Sequence, residues 1–408
     1  MKDLYFKLAL RNLFRNPLRT SLNIAILSGC VVGSVLFRGF SNHILSRIQI
    51  ILSSSQTGHL QIAKNIFFEK KPTDKNEERY LDQTEKLSLR IKDYPEVDYV
   101  SGRVSFYALL YTRDKVVSAR GIAFDPKVEH LLKENTYIVG GEYFSNQSDN
   151  EILLGSGIQK QLDLKPGQTL TLVSSTLAGS ANALDPEFRG TFQTAFSEID
   201  NTTFFIPLTA ALRLLDTSKV ENLLVFLKDM KHVPTFQSHL EKDLSSEAGI
   251  GIRSWRQLAD LFNQVEDFYK TQNAIIEGIL LLFVFLAILN TLSMTVFERL
   301  GEIGTLRSLG DTPKDITRIF LVEGFLMVAI ACAIAVPISY SLATAINQMH
   351  LPMTLPGSSR PTPFAILPLG KDFLLSFVLC FAASLLAIQT ALRKALKTSI
   401  VDTLRQNI

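Results

Sequence analysis

Long uncharged apolar stretches alternate along the chain with segments in which charged residues recur every few positions. A membrane-spanning helix needs roughly 20 apolar residues, because an unpaired backbone group in the hydrocarbon core costs several kcal/mol. Four stretches meet this requirement, at residues 20–37, 278–297, 324–349 and 373–392. A buried helix of a water-soluble protein rarely runs so long without a charge. The pattern therefore predicts four transmembrane helices.

The residues between the first and second predicted spans have the mixed pattern of a folded α+β domain. β-rich or alternating runs predict strands at 57–63, 98–112, 115–124, 168–175, 201–208 and 221–229. Helical spacing or helix-forming composition predicts helices at 82–92, 156–161, 209–215 and 233–243. The predicted fold class is a membrane protein with four transmembrane α-helices and a large α+β extracytoplasmic domain inserted between helices 1 and 2.

Three segments of this domain depart from the strand and helix patterns. Residues 174–200 are rich in Ser, Ala, Thr and Gly and have the weakest periodicity, which predicts a long exposed loop or a hairpin. Such a loop would either contact a partner or cargo or serve as a mobile connector. Residues 41–53 continue from the first span, and residues 253–272 run into the second, without Gly or Pro. Both are predicted to be stiff helical stalks.

Basic residues flank the spans asymmetrically, and positively charged short loops stay in the cytoplasm. The basic flanking residues are Lys2, Lys7, Arg11, Arg15, Arg19, Arg299, Arg307, Lys314, Arg318, Arg393, Lys394, Lys397 and Arg405. They lie before the first span, between the second and third, and after the fourth. Both termini are therefore predicted to be cytoplasmic, which leaves the α+β domain on the other side of the membrane.

These patterns divide the chain into nine predicted segments. In order they are a cytoplasmic amphipathic N-terminal helix (1–19), transmembrane helix 1 (20–40), a periplasmic α+β domain with stalk helices at both ends (41–272), transmembrane helix 2 (273–297), a cytoplasmic coupling loop (298–318), transmembrane helix 3 (319–346), a short periplasmic loop (347–371), transmembrane helix 4 (372–392) and a cytoplasmic tail (393–408). Pro337 is expected to kink the third span. Arg38 and Glu277 lie near the outer ends of the first two.

The charge and the cysteine content narrow the range of possible functions and partners. The net charge of +3 is small and mixed, without a basic stripe, which argues against nucleic acid as a partner. Cys30, Cys332 and Cys380 all lie in predicted spans, where small apolar packing is the expected role. Residues 27–30 resemble a lipobox, but the apolar run continues past Cys30 and favours a membrane span; whether Cys30 is ever processed stays open.

The sequence contains no recognisable catalytic machinery. A G-x-x-x-x-G-K-[ST] phosphate loop is absent, so the energy of an ATP-driven process would come from another subunit. His43, His59, His130, His232 and His350 are scattered, and neither a metal site nor a catalytic residue is predicted. The spans are poor in the ionisable groups that mark ion-coupled transporters. We therefore predict a non-catalytic membrane subunit without a cofactor of its own.

The loop after the second span, "ERLGEIGTLRSLGDTPKDITRIF" (298–320), carries the most information. Residues 298–309 have the pattern of a short charged helix at the membrane surface. Gly310 would end it, and Pro313 favours the start of the next helix. A compact helix between two spans would carry the movement of a cytoplasmic partner into both.

This loop resembles the coupling segment of the MacB/FtsX-type (type VII) ABC transporter permeases, E-R-x-x-E-I-G-x-L-R-x-x-G followed by I-x-x-x-F-x-x-E. The matching residues are Glu298, Arg299, Glu302, Ile303, Gly304, Leu306, Arg307, Gly310, Ile316, Phe320 and Glu323. Residues 9–22, 152–174 and 391–405 are also similar to the family, although the tail lacks its Pro-Ala-Arg-Arg or Asp-Pro pattern. The resemblance implies that the residues from Glu298 to Gly310 couple the chain to an ATPase; substrate-binding residues stay unknown.

The resemblance implies mechanotransmission in the bacterial inner membrane. Two permease chains, identical or homologous, would pair with two copies of a cytoplasmic ABC ATPase, a separate chain that binds ATP and Mg. Closure of the ATPases would move the coupling segments and, through the stalks, the periplasmic domains. Cargo would not pass through a central channel.

Residues 57–62, 200–208, 254–258 and 349–361 look closest to the LolC/LolE-like branch of the family. That branch implies release of lipoproteins from the inner membrane, with a lipoprotein cargo, a periplasmic carrier and membrane lipids as partners. Two alternatives stay open. One is a MacB-like efflux permease for peptides, drugs or lipids, and the other is an FtsX-like regulator of a periplasmic hydrolase.

Overall fold

The computed structural model of the protein describes residues 11, 13, 15–55, 57–69, 76–82, 84–126, 136–145, 149–194, 196–245, 247, 249–308, 310, 312–353 and 362–396. The chain divides into two compact units. The first, called the helical unit here, comprises Met1–Ser46, Val265–Pro352 and Pro363–Ile408. The second, called the sheet unit, comprises Arg47–Gln264 and Met353–Thr362.

Long apolar helices dominate the helical unit. Within the described residues, the α-helices of the whole chain are α1 (Pro17–Ser55), α2 (Asn65–Phe68), α3 (Thr84–Lys92), α4 (Ser156–Leu162), α5 (Ser197–Thr202), α6 (Leu208–Leu214), α7 (Val233–Asp243), α8 (Trp255–Leu258), α9 (Asp260–Glu298), α10 (Leu300–Ser308), α11 (Pro313–Gln348) and α12 (Gly370–Leu396). Helices α1, α9, α11 and α12 are long and apolar enough to cross a membrane. The prediction of four membrane-spanning helices is confirmed.

A mixed β-sheet forms the framework of the sheet unit. The strands described are β1 (Leu60–Lys64), β2 (Val97–Tyr111), β3 (Val116–Phe124), β4 (Tyr137–Gly141), β5 (Glu151–Gly155), β6 (Thr171–Ser175), β7 (Ala181–Leu184), β8 (Glu187–Gln193), β9 (Thr203–Pro207), β10 (Asn222–Leu227), β11 (Ile250–Ser254), β12 (Pro352–Met353) and β13 (Thr362–Pro363). The sheet has the order β11-β1-β10-β2-β3-β9-β5-β8-β4, and β6 pairs with β2 and β7. The pairs β3–β9 and β5–β8 are parallel, and the other pairs are antiparallel.

Alternation along β2 explains how the core of the sheet unit forms. Val104, Phe106, Ala108 and Leu110 are buried in the main hydrophobic cluster, whereas Tyr107 is exposed. Because successive side chains of a strand point to opposite faces, this spacing fixes which face of the sheet is covered. The covering layer includes α3, α4, α6 and α7, whose buried residues belong to the same cluster.

The strands and helices predicted for this domain are observed. The six predicted strand segments correspond to strands β1, β2, β3, β6, β9 and β10. The four predicted helical segments correspond to helices α3, α4, α6 and α7. Strands β4, β5, β8 and β11 were not predicted. The α+β class of the domain is therefore confirmed, and its sheet is larger than the sequence pattern indicated.

The prediction of a long loop or hairpin at residues 174–200 is only partly correct. Strands β6 and β7 form a hairpin, but β8 lies inside the sheet, where Phe188 and Phe192 are fully buried. Gly190 lies between them, and a Cβ atom at that position would come within 2.4 Å of the carbonyl oxygen of Glu142. Glycine is needed for this close approach, and it weakens the strand pattern that would otherwise have identified β8.

The predicted stalk at residues 253–272 is wrong at its start. Arg253 and Ser254 end β11, and Ser254 then caps the short helix α8 through a capping box with Gln257. The long helix α9 begins only at Asp260. The other predicted stalk, residues 41–53, is helical throughout because it lies within α1.

Candidate coupling site

The loop between the second and third spans is almost entirely helical. Glu298 ends α9, and Arg299 joins it to α10. The backbone N–H of Arg299 donates to the carbonyl of Thr295 at 3.1 Å, and the N–H of Ile303 donates to the carbonyl of Arg299 at 2.9 Å. The predicted surface helix is thus present as α10, Leu300–Ser308, directly after α9; Leu309 lies outside the described residues.

Two local signals set the junction between α10 and α11. Gly310 has a φ of +106°, a conformation that residues with a Cβ atom rarely adopt. Thr312 is the N-cap of α11 and forms a capping box with Asp315, while Pro313 occupies the first turn. Arg318 also donates to Asp315 at 3.1 Å. The break between the two helices is therefore encoded locally, as the sequence predicted.

A buried ion pair connects this segment to the third span. Arg299 Nη1 lies 3.7 Å from Glu323 Oε2, and both side chains are 8% exposed. The contact is electrostatic and not a hydrogen bond, since 3.7 Å exceeds the usual donor–acceptor range. Removing one member of a buried pair leaves an uncompensated charge, which typically costs about 3–5 kcal/mol. The end of α9 and the body of α11 are therefore expected to move together.

Two exposed ion pairs connect the same segment to the start of the chain. Arg15 Nη1 lies 2.5 Å from Glu302 Oε1, and Arg19 Nη1 lies 2.8 Å from Glu298 Oε2. The Arg15 and Glu302 side chains are 54% and 53% exposed, so the pair is worth at most about 1 kcal/mol. These contacts add little stability; Arg15–Glu302 joins α10 to the segment before α1, and Arg19–Glu298 joins α1 to the end of α9.

Apolar contacts fix the inner face of α10. Ile303 is buried in one cluster with Leu13, Ile316 and Phe320. Gly304 is buried beside it in the sequence. The cluster thus combines residues from the N-terminal segment, α10 and the first turns of α11. Helix α10 is held through apolar side chains on one face and through Glu302 on another.

The sequence-predicted site residues fall into two groups. Glu298, Arg299, Glu302, Ile303, Gly304 and Gly310 are placed as described above. Leu306 and Arg307 belong to α10, but their side chains lie outside the described part of the structure. The sequence did not single out Arg15, Arg19 or Glu323 as contacts of the site. Glu323 belongs to the matching motif, whereas the two arginines carry no signal of pairing, being 287 and 279 positions from their partners.

The described residues contain no group of three or more His, Cys, Asp or Glu side chains that would hold a metal ion. Charged and apolar side chains from three chain segments meet around one short helix.

Two family models match the chain. The MacB-like periplasmic core domain matches residues 20–243, and the FtsX-like permease C-terminal domain matches residues 274–400. The first of these covers more than half of the 408 residues. The chain therefore belongs to the MacB/FtsX-type (type VII) ABC transporter permeases. The resemblance noted in the sequence is confirmed, as is the position of the α+β domain between the first two spans.

The relatives include members of several branches. The lipoprotein-releasing system transmembrane protein LolE of Haemophilus influenzae is 23% identical over 340 residues, which cover 79% of this chain and 75% of that protein. The macrolide export ATP-binding/permease protein MacB of Psychrobacter arcticus is 22% identical over 84% of this chain and 51% of its own length. The ABC transporter permease YtrF of Bacillus subtilis is 30% identical over 129 residues, which span 30% of this chain and 29% of YtrF.

Proposed function

We propose that this chain is the membrane subunit of an inner-membrane ABC transporter and that it transmits movement from a cytoplasmic ATPase to its periplasmic domain. The observation that carries the proposal is the set of three ion pairs around residues 298–302. Arg15–Glu302 joins α10 to the segment just before α1, Arg19–Glu298 joins α1 to the end of α9, and Arg299–Glu323 joins the residue between α9 and α10 to α11. A displacement of α10 would therefore reach two spans at once.

Helix length supports the same mechanism. Helices α1 and α9 each contain 39 residues, whereas roughly 20 are enough to cross the hydrocarbon core. Both belong to the segments that flank the α+β domain in the sequence. A helix transmits a displacement along its axis because each turn is hydrogen-bonded to the next. The proposed path runs from α10 through α1 and α9 to the periplasmic domain.

The proposed assembly contains two permease chains, identical or homologous, and two copies of an ATPase that binds ATP and Mg. The ATPase is proposed to be a separate chain. Residues 298, 299, 302–304, 306, 307 and 310 are proposed to contact or position this partner. Both termini would lie in the cytoplasm.

For cargo, we propose lipoproteins that are released from the membrane to a periplasmic carrier. The match to LolE, over 79% of this chain and 75% of that protein, and the likeness of residues 57–62, 200–208, 254–258 and 349–361 to the LolC/LolE-like branch support this choice. Extraction of an acyl chain costs about 0.8 kcal/mol per CH₂ group, so such work needs an external energy source. Export of peptides, drugs or lipids by a MacB-like mechanism and FtsX-like control of a hydrolase are the alternatives.

The coupling proposal predicts that Glu302→Lys or Gly310→Pro abolishes stimulation of the partner ATPase. Glu302→Lys places a second positive charge beside Arg15. Gly310→Pro removes the positive φ that ends α10. The measurement is ATP hydrolysis by the reconstituted complex, with membrane insertion checked by fractionation and cysteine labelling.

A charge exchange provides the matched control. Arg15→Glu combined with Glu302→Lys restores opposite charges across the pair, and at least partial stimulation is expected to return. Full stimulation in the single variant Glu302→Lys would contradict the proposed role of this contact. The cargo proposal has its own test, in which proteoliposomes either release a labelled lipoprotein to a soluble carrier on addition of ATP or retain it.

A further inference from the structure

A polar contact joins α1 and α9 at the end of the helical unit opposite α10. Arg38 Nη2 of α1 donates to Glu277 Oε2 of α9, and the two side chains are 20% and 10% exposed. One turn further along, Asn273 Nδ2 of α9 donates to Ser41 Oγ of α1 at 3.3 Å. All four residues belong to the helical unit, and we call them the distal clasp.

The distal clasp lies within two helices that are long and apolar enough to cross a membrane. A long basic side chain near the end of a span usually extends to the interface, where water solvates its charge. Arg38 instead contacts the neighbouring helix and is mostly buried against Glu277. Ionisable groups inside a span are costly and mark functional positions. The ion pair is therefore a contact between helices and not a lipid-facing anchor.

The clasp is not arranged for the greatest stability. Arg38 Nε and Asn273 Oδ1 are buried and have no hydrogen-bond partner in the described part of the chain. Buried polar atoms are normally paired, so two unpaired atoms in one contact are unfavourable. A buried ion pair is seldom more stabilising than apolar side chains of similar volume, and its best-attested use is to fix the register of packed helices. The contact therefore positions α1 against α9.

The same two helices also meet near α10. There Thr291 Oγ1 of α9 donates to Asn23 Oδ1 of α1 at 3.0 Å. Between this level and the distal clasp lie buried apolar residues, among them Val31, Val35 and Val284. Polar contacts thus hold α1 and α9 at both ends of the stretch that they share, and apolar packing fills the part between them.

Separate contacts hold α1 to α12. Asn42 Nδ2 donates to Asp372 Oδ2 at 2.9 Å, and the hydroxyl oxygens of Ser34 and Ser376 lie 3.1 Å apart. Neither contact includes Glu277. Removing the charge of Glu277 is therefore expected to loosen α1 from α9 and to leave α1 attached to α12. This difference separates the role of the clasp from the overall stability of the helical unit.

We propose that the distal clasp makes the far ends of α1 and α9 move as one body. These helices flank the sheet unit in the sequence, so the clasp delivers a displacement of α9 to both flanks of that unit together. The positioning of α1 against α9 does not depend on an ATPase. Its consequence for transport rests on the proposed function and is measured separately.

The first test uses the full-length chain in lipid nanodiscs and measures distances between paired nitroxides by electron paramagnetic resonance. The nitroxides are attached through p-acetylphenylalanine, which leaves the native cysteines unchanged. One pair, at Leu36 and Ile279, lies two residues from Arg38 and from Glu277; the other, at Leu36 and Leu375, joins α1 to α12. Glu277→Gln is expected to widen the first distance distribution about twofold or more, because it leaves a buried arginine without its counter-charge. The second distribution is expected to stay unchanged.

Two variants serve as controls. Asp267→Asn removes the same charge from α9 at a side chain that is 75% exposed, and both distributions are expected to remain as in the wild type. The exchange Arg38→Glu/Glu277→Arg restores opposite charges across the contact and is expected to narrow the first distribution again. If Glu277→Gln does not insert into the membrane, Glu277→Asp is measured instead. It keeps the charge on a shorter side chain, and an intermediate width is expected.

The second test uses the complex reconstituted with its ATPase and the lipoprotein release assay of the cargo proposal. Glu277→Gln is expected to keep stimulation of the ATPase within about twofold and to lower lipoprotein release about tenfold or more, since the clasp lies beyond the coupling segment. Glu302→Lys, in contrast, is expected to abolish stimulation itself. The two positions therefore give different results in the same assay.

Three results would overturn the proposal. One is an unchanged distance distribution for Leu36 and Ile279 in Glu277→Gln. Another is equal widening of both distributions, which would assign Glu277 to the overall stability of the helical unit. The third is full lipoprotein release by a variant whose α1–α9 distance has widened. If the wild type stimulates no ATPase, the proposed function fails, and the distance measurement still decides whether the clasp positions α1 against α9.

Discussion

The two units differ in the aromatic content of their fully buried positions. Among the largest fully buried side chains of the sheet unit are Phe124, Phe188, Phe192, Phe204 and Phe226. The fully buried positions of the helical unit include small residues, such as Ala331, Ala335, Ala387, Ser339 and Ser384. Water drives large apolar side chains into a core, whereas lipid tails are as apolar as the side chains themselves. Among the described residues, the fully buried aromatic side chains belong to the sheet unit.

Polar contacts differ between the units in a corresponding way. In the helical unit, the hydroxyl oxygens of Ser34 and Ser376 lie 3.1 Å apart, and Asn42 donates to Asp372 at 2.9 Å. Such pairs join helices that have no hydrophobic driving force to associate. In the sheet unit, a buried polar side chain instead completes the backbone hydrogen bonding of the sheet, as His59 does for Leu227. Four substitutions test this comparison.

The largest effect is expected for Phe204→Ala in the sheet unit. Phe204 is fully buried and packs edge to face with Phe106 at a centroid distance of 5.8 Å. Truncating it should lower the free energy of unfolding by about 3–5 kcal/mol. Trp255 is the only tryptophan of the chain and is buried in the sheet unit, so its fluorescence can follow denaturation. Tyr107→Ala, at a side chain that is 75% exposed, is the control and should change stability by less than about 1 kcal/mol.

A steric change tests the helical unit. A Cβ atom at Gly39 would lie 2.7 Å from Ile366 Cγ2 and 3.1 Å from backbone atoms of Leu367 and Pro368. Gly39→Val should therefore destabilise this unit by about 1–3 kcal/mol. Gly29→Val on the same helix is the control, because a Cβ atom there would have no described neighbour within 4 Å outside its own helix. Thermal stability in detergent is the measurement, and equal melting temperatures for the two variants would contradict the importance of this close packing.

The third prediction concerns pH and the buried polar group of the sheet unit. Burial lowers the pKa of His59 from its ordinary 6.5, and the carboxylate of Asp98 opposes the shift without reversing it. The imidazole is thus neutral in the fold, where Nδ1 accepts a hydrogen bond from Leu227 N–H at 2.9 Å. Neutral His59 therefore stabilises the fold fully above pH 6.5, and this contribution to the free energy of unfolding is lost as the pH falls through the lowered pKa.

His59→Asn retains an acceptor near the position of Nδ1 and removes the titration. Trp255 is a suitable probe, since its backbone N–H donates to the carbonyl of His59 at 3.1 Å. Unfolding should be less sensitive to acid in the variant than in the wild type below pH 6.5. An unchanged pH profile would show that another group controls the acid limit.

The smallest effect is expected for Ser34→Ala, which removes the hydroxyl pair with Ser376. Hydrogen bonds between membrane helices average about 0.6 kcal/mol, because the separated helices find other partners. The double variant Ser34→Ala/Ser376→Ala should lower the free energy of unfolding by no more than the single variant does, since both delete the same contact. A clearly additive loss in thermal stability would indicate that each serine has a separate role.

Much of the fold could be predicted because its signals are local. The long uncharged runs identify four spans, and Gly310, Thr312 and Pro313 mark the boundary between two helices. Strands β2 and β10 are recognisable from consecutive β-branched, aromatic and leucine residues. Strand β8 was missed because Gly190 interrupts its pattern at the point where another segment approaches the backbone. The start of α9 was misplaced because residues 253–258 are compatible with a helix until β11 pairs with β1.

The sequence by itself determined the number of spans and the short helix between the second and third spans, because periodicity, length and capping act over a few turns of chain. The resemblance to the family rested on the motif at residues 298–323. Only the tertiary structure decided the order of the strands and the partners of the coupling segment. Arg15 meets Glu302, and Arg299 meets Glu323, because packed helices bring them together. Charge pairing between distant segments depends on three-dimensional distance, and sequence separation contains no information about it.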